Sequence, residues 1–211
     1  MKRIINTKKF VFFLIITGCW FQIVAKDVTG KLTFTKSADF VMLAYFTEDH
    51  SLSKKTVQVD QKAKKFSKKL VVGNTSAEVV FKNGDSVSHN IFAKDTKADV
   101  TFDVGLMSPG KDSKIKIDWN KDLIIRIGCK IHPKMRSYIA NIDSAFHTIV
   151  ELEKKKKEVE FSLKDVPDKL TKLRIWFPKY DTVDVEIKVG TTSEVDIKRN
   201  GKLYGKILLK R

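Results

Sequence analysis

The 211 residues carry 41 Lys and Arg against 25 Asp and Glu, a formal charge of +16, and 42% of them are apolar. That length and apolar content give room for one large or two small packed cores. The positive excess suits acidic partners or anionic surfaces. Because the lysines are spread along the chain with no nucleic-acid motif beside them, nucleic-acid binding is not expected.

In chain order, Lys2, Arg3, Lys8 and Lys9 precede an apolar run over 10–25. The run is short for a membrane span and has the flanks of a secretory signal, with Ile23-Val24-Ala25 as its cleavage site. The expectation is a signal peptide over 1–25 and a mature chain starting near Lys26. A second reading of the same stretch stays open. Ile16-Thr17-Gly18-Cys19 resembles a bacterial lipobox, so lipidation at Cys19 would tether the protein to a membrane, although 20–24 remains apolar. Both readings take the protein out of the cytoplasm, and the periplasm is the expected location. Removing 1–25 leaves Cys129 as the one cysteine, which excludes a disulfide-stapled domain. A lone thiol in an oxidising compartment is a liability unless it is buried or bound to a metal.

Beyond Asp27 the pattern is β throughout. Apolar and polar residues alternate over 31–34, 56–59, 77–81, 115–119 and 183–189. Turn residues separate these runs, among them Asn83-Gly84, Pro109-Gly110 and Asn200-Gly201. No amphipathic helix or internal repeat is expected, so the fold class is all-β, built of antiparallel sandwiches. The segment 56–143 has the size of a small Greek-key sandwich of about seven strands. A second β unit follows over 144–197, and 198–211 reads as a basic C-terminal tail. Residues 28–50 belong to neither unit by adjacency.

The chemistry lies in Cys129, His132 and Met135, at positions i, i+3 and i+6 between the strand-like runs 123–127 and 138–142. His89 stands forty residues upstream of the cysteine. Two imidazoles, a thiolate and a weak axial thioether are the donor set of a type 1 copper site, which changes oxidation state with little movement of its ligands. Pro133 stiffens the return to Met135. The Cys-x-x-His-x-x-Met spacing alone recurs by chance; joined to His89, it predicts one copper ion held by His89, Cys129, His132 and Met135.

These residues resemble the plastocyanin-like cupredoxins, and the short ligand loop is most similar to that of amicyanin and related methylamine-utilisation proteins. The match covers about 56–143. It rests on Asn83, Asp85, His89 and Asn90, on Phe102-Asp103-Val104-Gly105, and on Cys129, His132, Pro133 and Met135. The resemblance assigns copper ligation to the same four residues and makes Asn90 the tie between the His89 segment and the cysteine loop. Departures are Arg136-Ser137, where glycine is common, and Lys130 and Lys134, which make the loop basic. Those lysines are expected to raise the positive potential round the metal and with it the reduction potential. A second resemblance covers 161–167 and 173–176, which look like a carboxypeptidase-regulatory-like, transthyretin-type β domain. It implies that 28–50 and 144–197 form one small discontinuous β-sandwich into which the cupredoxin is inserted.

Other residues receive structural readings: Met107, Trp119 and Trp176 as packing, His50 and His147 as surface or structural groups. Asp85 and Asp103 show no pairing suited to acid–base catalysis. Nothing resembles a nucleophile triad, a phosphate loop or the extra histidine pairs of a copper oxidase, so no enzyme is expected. The expected function is single-electron transfer through His132 to a redox partner protein with an acidic docking surface. A copper-delivery module and a metal-free interaction protein are the alternatives.

Overall fold

Alternation with period two is what a half-buried strand requires, and the chain meets it over most of its length. A computed structural model describes residues 25–36, 40–153 and 156–211. The expected signal segment and Cys19 lie outside those residues, apart from Ala25, as do Lys154 and Lys155. The protein is all-β, and no helix occurs among the described residues.

The first part of the chain supplies β1 (Ala25–Phe34) and β2 (Phe40–Phe46). Their sheet partners come from the far end: β12 (His147–Leu152), β13 (Glu158–Pro167), β14 (Lys172–Trp176), β15 (Val183–Glu186), β16 (Thr192–Arg199) and β17 (Lys202–Lys210). The sheet β13-β1-β17-β16 faces the sheet β12-β2-β14-β15 across one apolar core. Val28, Leu32 and Phe34 of β1 enter it from one side; Met42, Ala44 and Phe46 of β2 enter from the other.

The stretch 198–211 is not a tail. Lys202–Lys210 is β17, hydrogen-bonded between β1 and β16, with Ile207 and Leu209 fully buried. Lysines at 202, 206 and 210 occupy the outward positions, so a basic composition conceals an apolar inward face. Asn200-Gly201 forms the hairpin turn, both with positive φ as a type I′ turn demands. The Arg211 guanidinium is buried and donates to the carbonyls of Val166, Pro167, Leu170 and Ile187.

Between β2 and β12 the chain makes nine strands, more than the seven or so read from the sequence. They are β3 (Val57–Lys62), β4 (Lys65–Phe66), β5 (Val71–Gly73), β6 (Glu78–Asn83) and β7 (Phe92–Asp95), then β8 (Val100–Asp103), β9 (Asp112–Lys116), β10 (Ile124–Gly128) and β11 (Arg136–Asn141). The extra strands, β4 and β5, are too short to show a period. The sheet β5-β11-β10-β7-β8 packs on β4-β3-β6-β9 around Val59, Val79, Phe81, Ile91, Ile125 and Ile139. Most pairings are antiparallel; β3 with β6 and β5 with β11 are parallel.

The two sandwiches meet along an apolar seam. Val41, Leu43 and Tyr45, on the reverse face of β2, pack with Leu70, Ala140 and Ile142. Tyr138 and Trp176 join them edge to face, ring centroids 5.1 Å apart. A strand buried on both faces reads as a continuous apolar run, which explains Val41-Met42-Leu43-Ala44-Tyr45-Phe46.

Asp49 fastens the two chain crossings beside this seam. Its carboxylate accepts from the Ser51, Ala145 and Phe146 amides and from the Ser144 hydroxyl, at 2.7–3.3 Å. Burial would raise its pKa, but these four bonds hold it below the ordinary 3.8. A carboxyl whose pKa falls on folding stabilises the fold above its unfolded value and loses that contribution as the pH drops through the folded one. Asp49→Asn is expected to cost about 2 kcal/mol in urea unfolding at pH 7. Protonation abolishes the same charge in the wild type, so the gap is expected to close as the pH is lowered below the ordinary 3.8 and through the depressed folded value.

Candidate metal centre

β10 sends Ile125 and Ile127 into the core and ends at Gly128. A Cβ on Gly128 would lie 3.2 Å from the Phe92 ring and 3.4 Å from the Met135 carbonyl oxygen, so glycine lets the chain turn tightly here. Gly128 pairs with Arg136, which makes 129–135 the loop of a hairpin between β10 and β11. The Met135 amide donates to the His132 carbonyl at 2.8 Å and closes it. His89 lies between β6 and β7, held by two backbone hydrogen bonds with Met107, at 2.7 and 3.0 Å.

These segments bring three of the four predicted donors, His89, Cys129 and His132, together. Cys129 Sγ is 3.9 Å from His89 Nδ1 and 3.7 Å from His132 Nδ1, and the two Nδ1 atoms are 3.0 Å apart. Cys129 and His89 are buried, whereas His132 is half-buried. Among the described residues this is the one group of at least three His, Cys, Asp or Glu side chains arranged to hold a metal. With bonds of about 2.0–2.1 Å to nitrogen and about 2.3 Å to sulfur, one ion reaches all three donors. The S···N separations then subtend about 115–130° at the ion and the N···N separation about 95°, close to a trigonal plane. The donor set therefore fits a first-row transition ion of the kind the sequence suggests.

Met135 is buried at 2% exposure, yet neither it nor Cys129 belongs to the three apolar clusters. That separates Met135 from Met107, which packs in the core of the second sandwich. His50 is exposed beside Lys121, and His147 bonds the Ser144 carbonyl; both lie outside the donor group. Trp119 lies in the core of the second sandwich and Trp176 at the seam.

Asn90 does tie the two segments. Its amide N–H points at Cys129 Sγ at 3.5 Å, its side-chain oxygen accepts from the Lys130 amide at 2.7 Å, and its side-chain nitrogen donates to Asp103 at 3.0 Å. Asp103 also accepts from the Gly105 amide and pairs with the Lys130 ammonium at 2.5 Å. The Lys130 bond, then these N–H groups, lower the Asp103 pKa to about 2. Lys130 is thus charge-compensated, which removes it as a source of positive potential at the site; Lys134 and Arg136 stay exposed with no carboxylate paired to them among the described residues.

Two carboxylates that sequence reasoning left without a site role stand behind the donors. Asp103 is one. The other is Asp85, whose Oδ2 lies 2.7 Å from His89 Nε2. Its pKa is lowered to about 2, first by the Lys64 amide and then by His89. The signal for it was its place four residues before the histidine, in the turn-rich run that starts at Asn83. The His132 pKa is pulled down by burial, then by the charges of His89 and Lys64. Val87, Leu106 and Ile131, three of the five exposed large apolar residues among those described, flank the donor segments at 37%, 70% and 52% exposure.

No family model matches the chain, and no curated protein does. Among the solved structures similar to it are copper proteins. A purple cupredoxin from Nitrosopumilus maritimus is 18% identical over 41% of this chain and 98% of its own, with a TM-score of 0.34. Amicyanin from Paracoccus versutus is 20% identical over 53% and 96%, with a TM-score of 0.36. A copper-containing nitrite reductase from Thermus scotoductus is 21% identical over 41% of this chain but only 22% of its own, with a TM-score of 0.36. Likeness at this level bears on neither activity nor partner.

Proposed function

We propose that the protein is a periplasmic, type 1 copper electron carrier, binding one copper ion through His89, Cys129 and His132 with Met135 as the weak axial ligand. One observation carries this reading: a buried cysteine Sγ and two imidazole Nδ1 atoms converge within 3.0–3.9 Å, the donor set that favours copper cycling between two oxidation states. When bound, the copper ion would take up and release one electron.

The chain's own residues do the rest. The Asn90 network holds the thiolate loop against the His89 segment, and the buried Cys129 and His89 are shielded from water. His132 is the donor nearest solvent, with the exposed Ile131 next to it in the loop as an apolar contact that a partner can cover without desolvating charge. Lys134 and Arg136, exposed just after His132 in the chain, and the exposed Lys64, whose charge acts on His132, add positive charge here, which suits a redox partner with an acidic docking face. The proposed role involves no catalysis by this chain. The discontinuous β-sandwich is read as its scaffold.

The test is a Cu(II) titration of the purified protein. One equivalent is expected to give an intense visible thiolate-to-copper band and a reversible one-electron voltammetric wave. A colourless complex would sink the assignment. Colour without a reversible wave, together with ready loss of copper to a chelator, would point to delivery instead.

A further inference from the structure

We infer that Asp85 is a positioning residue for the metal centre, and that the turn joining β3 to β4, outside both donor segments, is the anchor from which it works. This rests on His89 being a metal ligand.

An ionised carboxylate only accepts hydrogen bonds. With Asp85 Oδ2 2.7 Å from His89 Nε2, the ring proton sits on Nε2. In the neutral ring Nδ1 then keeps a free lone pair facing Cys129 Sγ and His132 Nδ1. A carboxylate so placed fixes the tautomer and ring plane and makes the imidazole a stronger donor.

Asp85 is itself immobilised from the other side. Oδ1 accepts from the Ala63 amide at 2.7 Å, and Oδ2 accepts from the Lys64 amide at 2.8 Å. Its own amide donates to Asn83 Oδ1 at 3.0 Å, and the Asn83 side-chain nitrogen bonds the Val87 and Met107 carbonyls, both at 2.9 Å. The His89 main chain pairs with the same Met107.

The turn explains why this is more than a surface contact. Ala63 and Lys64 have φ of 52° and 56°, the left-handed conformation that Asn-Gly adopts at little cost and that Ala and Lys adopt reluctantly. Successive N–H groups aimed at one point form an anion cradle, and here the anion is Asp85. The turn is exposed and lies 21–22 residues before Asp85. It is a strut: turn amides to Asp85, Asp85 to His89.

The experiment uses the full mature chain as Asp85→Asn, read without metal and with Cu(II) alone. In the metal-free protein, imidazole 15N NMR is expected to show a single Nε2–H tautomer at His89 in the wild type and a mixture in the variant. In the copper-loaded protein, the Kd for Cu(II) is expected to rise by about 10- to 100-fold and the reduction potential to move upward, because a weaker imidazole donor stabilises Cu(II) less. Should Asp85→Asn not fold, Asp85→Glu carries the test. Its carboxylate cannot hold the turn and Nε2 in the same positions, so tautomer and potential still move. A folded variant with unchanged tautomer, affinity and potential would show that Asp85 only caps the turn and would overturn the inference. A wild type that shows the locked tautomer but gives no coloured copper complex would instead remove the copper reading and leave the strut standing.

Discussion

Cys129→Ser is expected to abolish the intense visible band altogether and to weaken Cu(II) binding by more than about 100-fold, beyond the loss typical of removing an outer hydrogen-bond partner. The thiolate is both the strongest donor of the set and the source of the charge-transfer colour. A serine hydroxyl stays protonated at neutral pH and offers neither. What remains is a pair of imidazoles with Nδ1 atoms 3.0 Å apart and a thioether, a set that binds Cu(II) weakly and without colour. The fold is expected to survive. Cys129 packs in none of the apolar clusters, and its one backbone hydrogen bond is a 3.5 Å N–H···S contact from Asn90 that an oxygen can accept. Far-UV circular dichroism and the melting temperature of the metal-free variant should therefore stay near wild type while the spectrum is lost. A band that persists would mean that another group carries the colour.

The site was legible because its ligands are chemically conspicuous and three of them share one short loop. Residues 129–135 had to be a hairpin once 123–127 and 138–142 read as strands, and the hairpin brings Cys129, His132 and Met135 to one end of the sandwich. What stayed hidden was set by contacts remote in sequence. Asp85 reads as an ordinary turn residue until the β3–β4 turn, some twenty residues earlier, is folded against it. Lys130 reads as a free charge until Asp103 is brought to it across β7 and β8. β17 was concealed by composition, since Lys202, Lys206 and Lys210 on the outward face outweigh Ile207 and Leu209 on the inward one. Period two carries the fold in this chain. It fails where strands shrink to two or three residues, as in β4 and β5, and where charge on one face masks the other.

β2 violates period two in the informative direction, and the second large prediction follows from it. A strand with one wet face would alternate; Val41-Met42-Leu43-Ala44-Tyr45-Phe46 does not, because both faces are buried. Met42 and Leu43 are adjacent, equally inaccessible at 0% exposure, and belong to different clusters. Truncating either to alanine is expected to cost about 2–5 kcal/mol, but the consequences should differ in kind. Met42→Ala opens a cavity inside the first sandwich and, with the seam intact, should lower the single shared transition without splitting it. Leu43→Ala opens it between the sandwiches, against Leu70, Ala140 and Ile142, so it removes coupling as well as stability. Calorimetry is expected to show one transition in the wild type and two in Leu43→Ala. The copper band should persist in Leu43→Ala, since Ala140 and Ile142 lie past the donor loop, beyond the first residues of β11. A single, unshifted transition in that variant would mean that the seam only fills space and that the two sandwiches unfold independently of it.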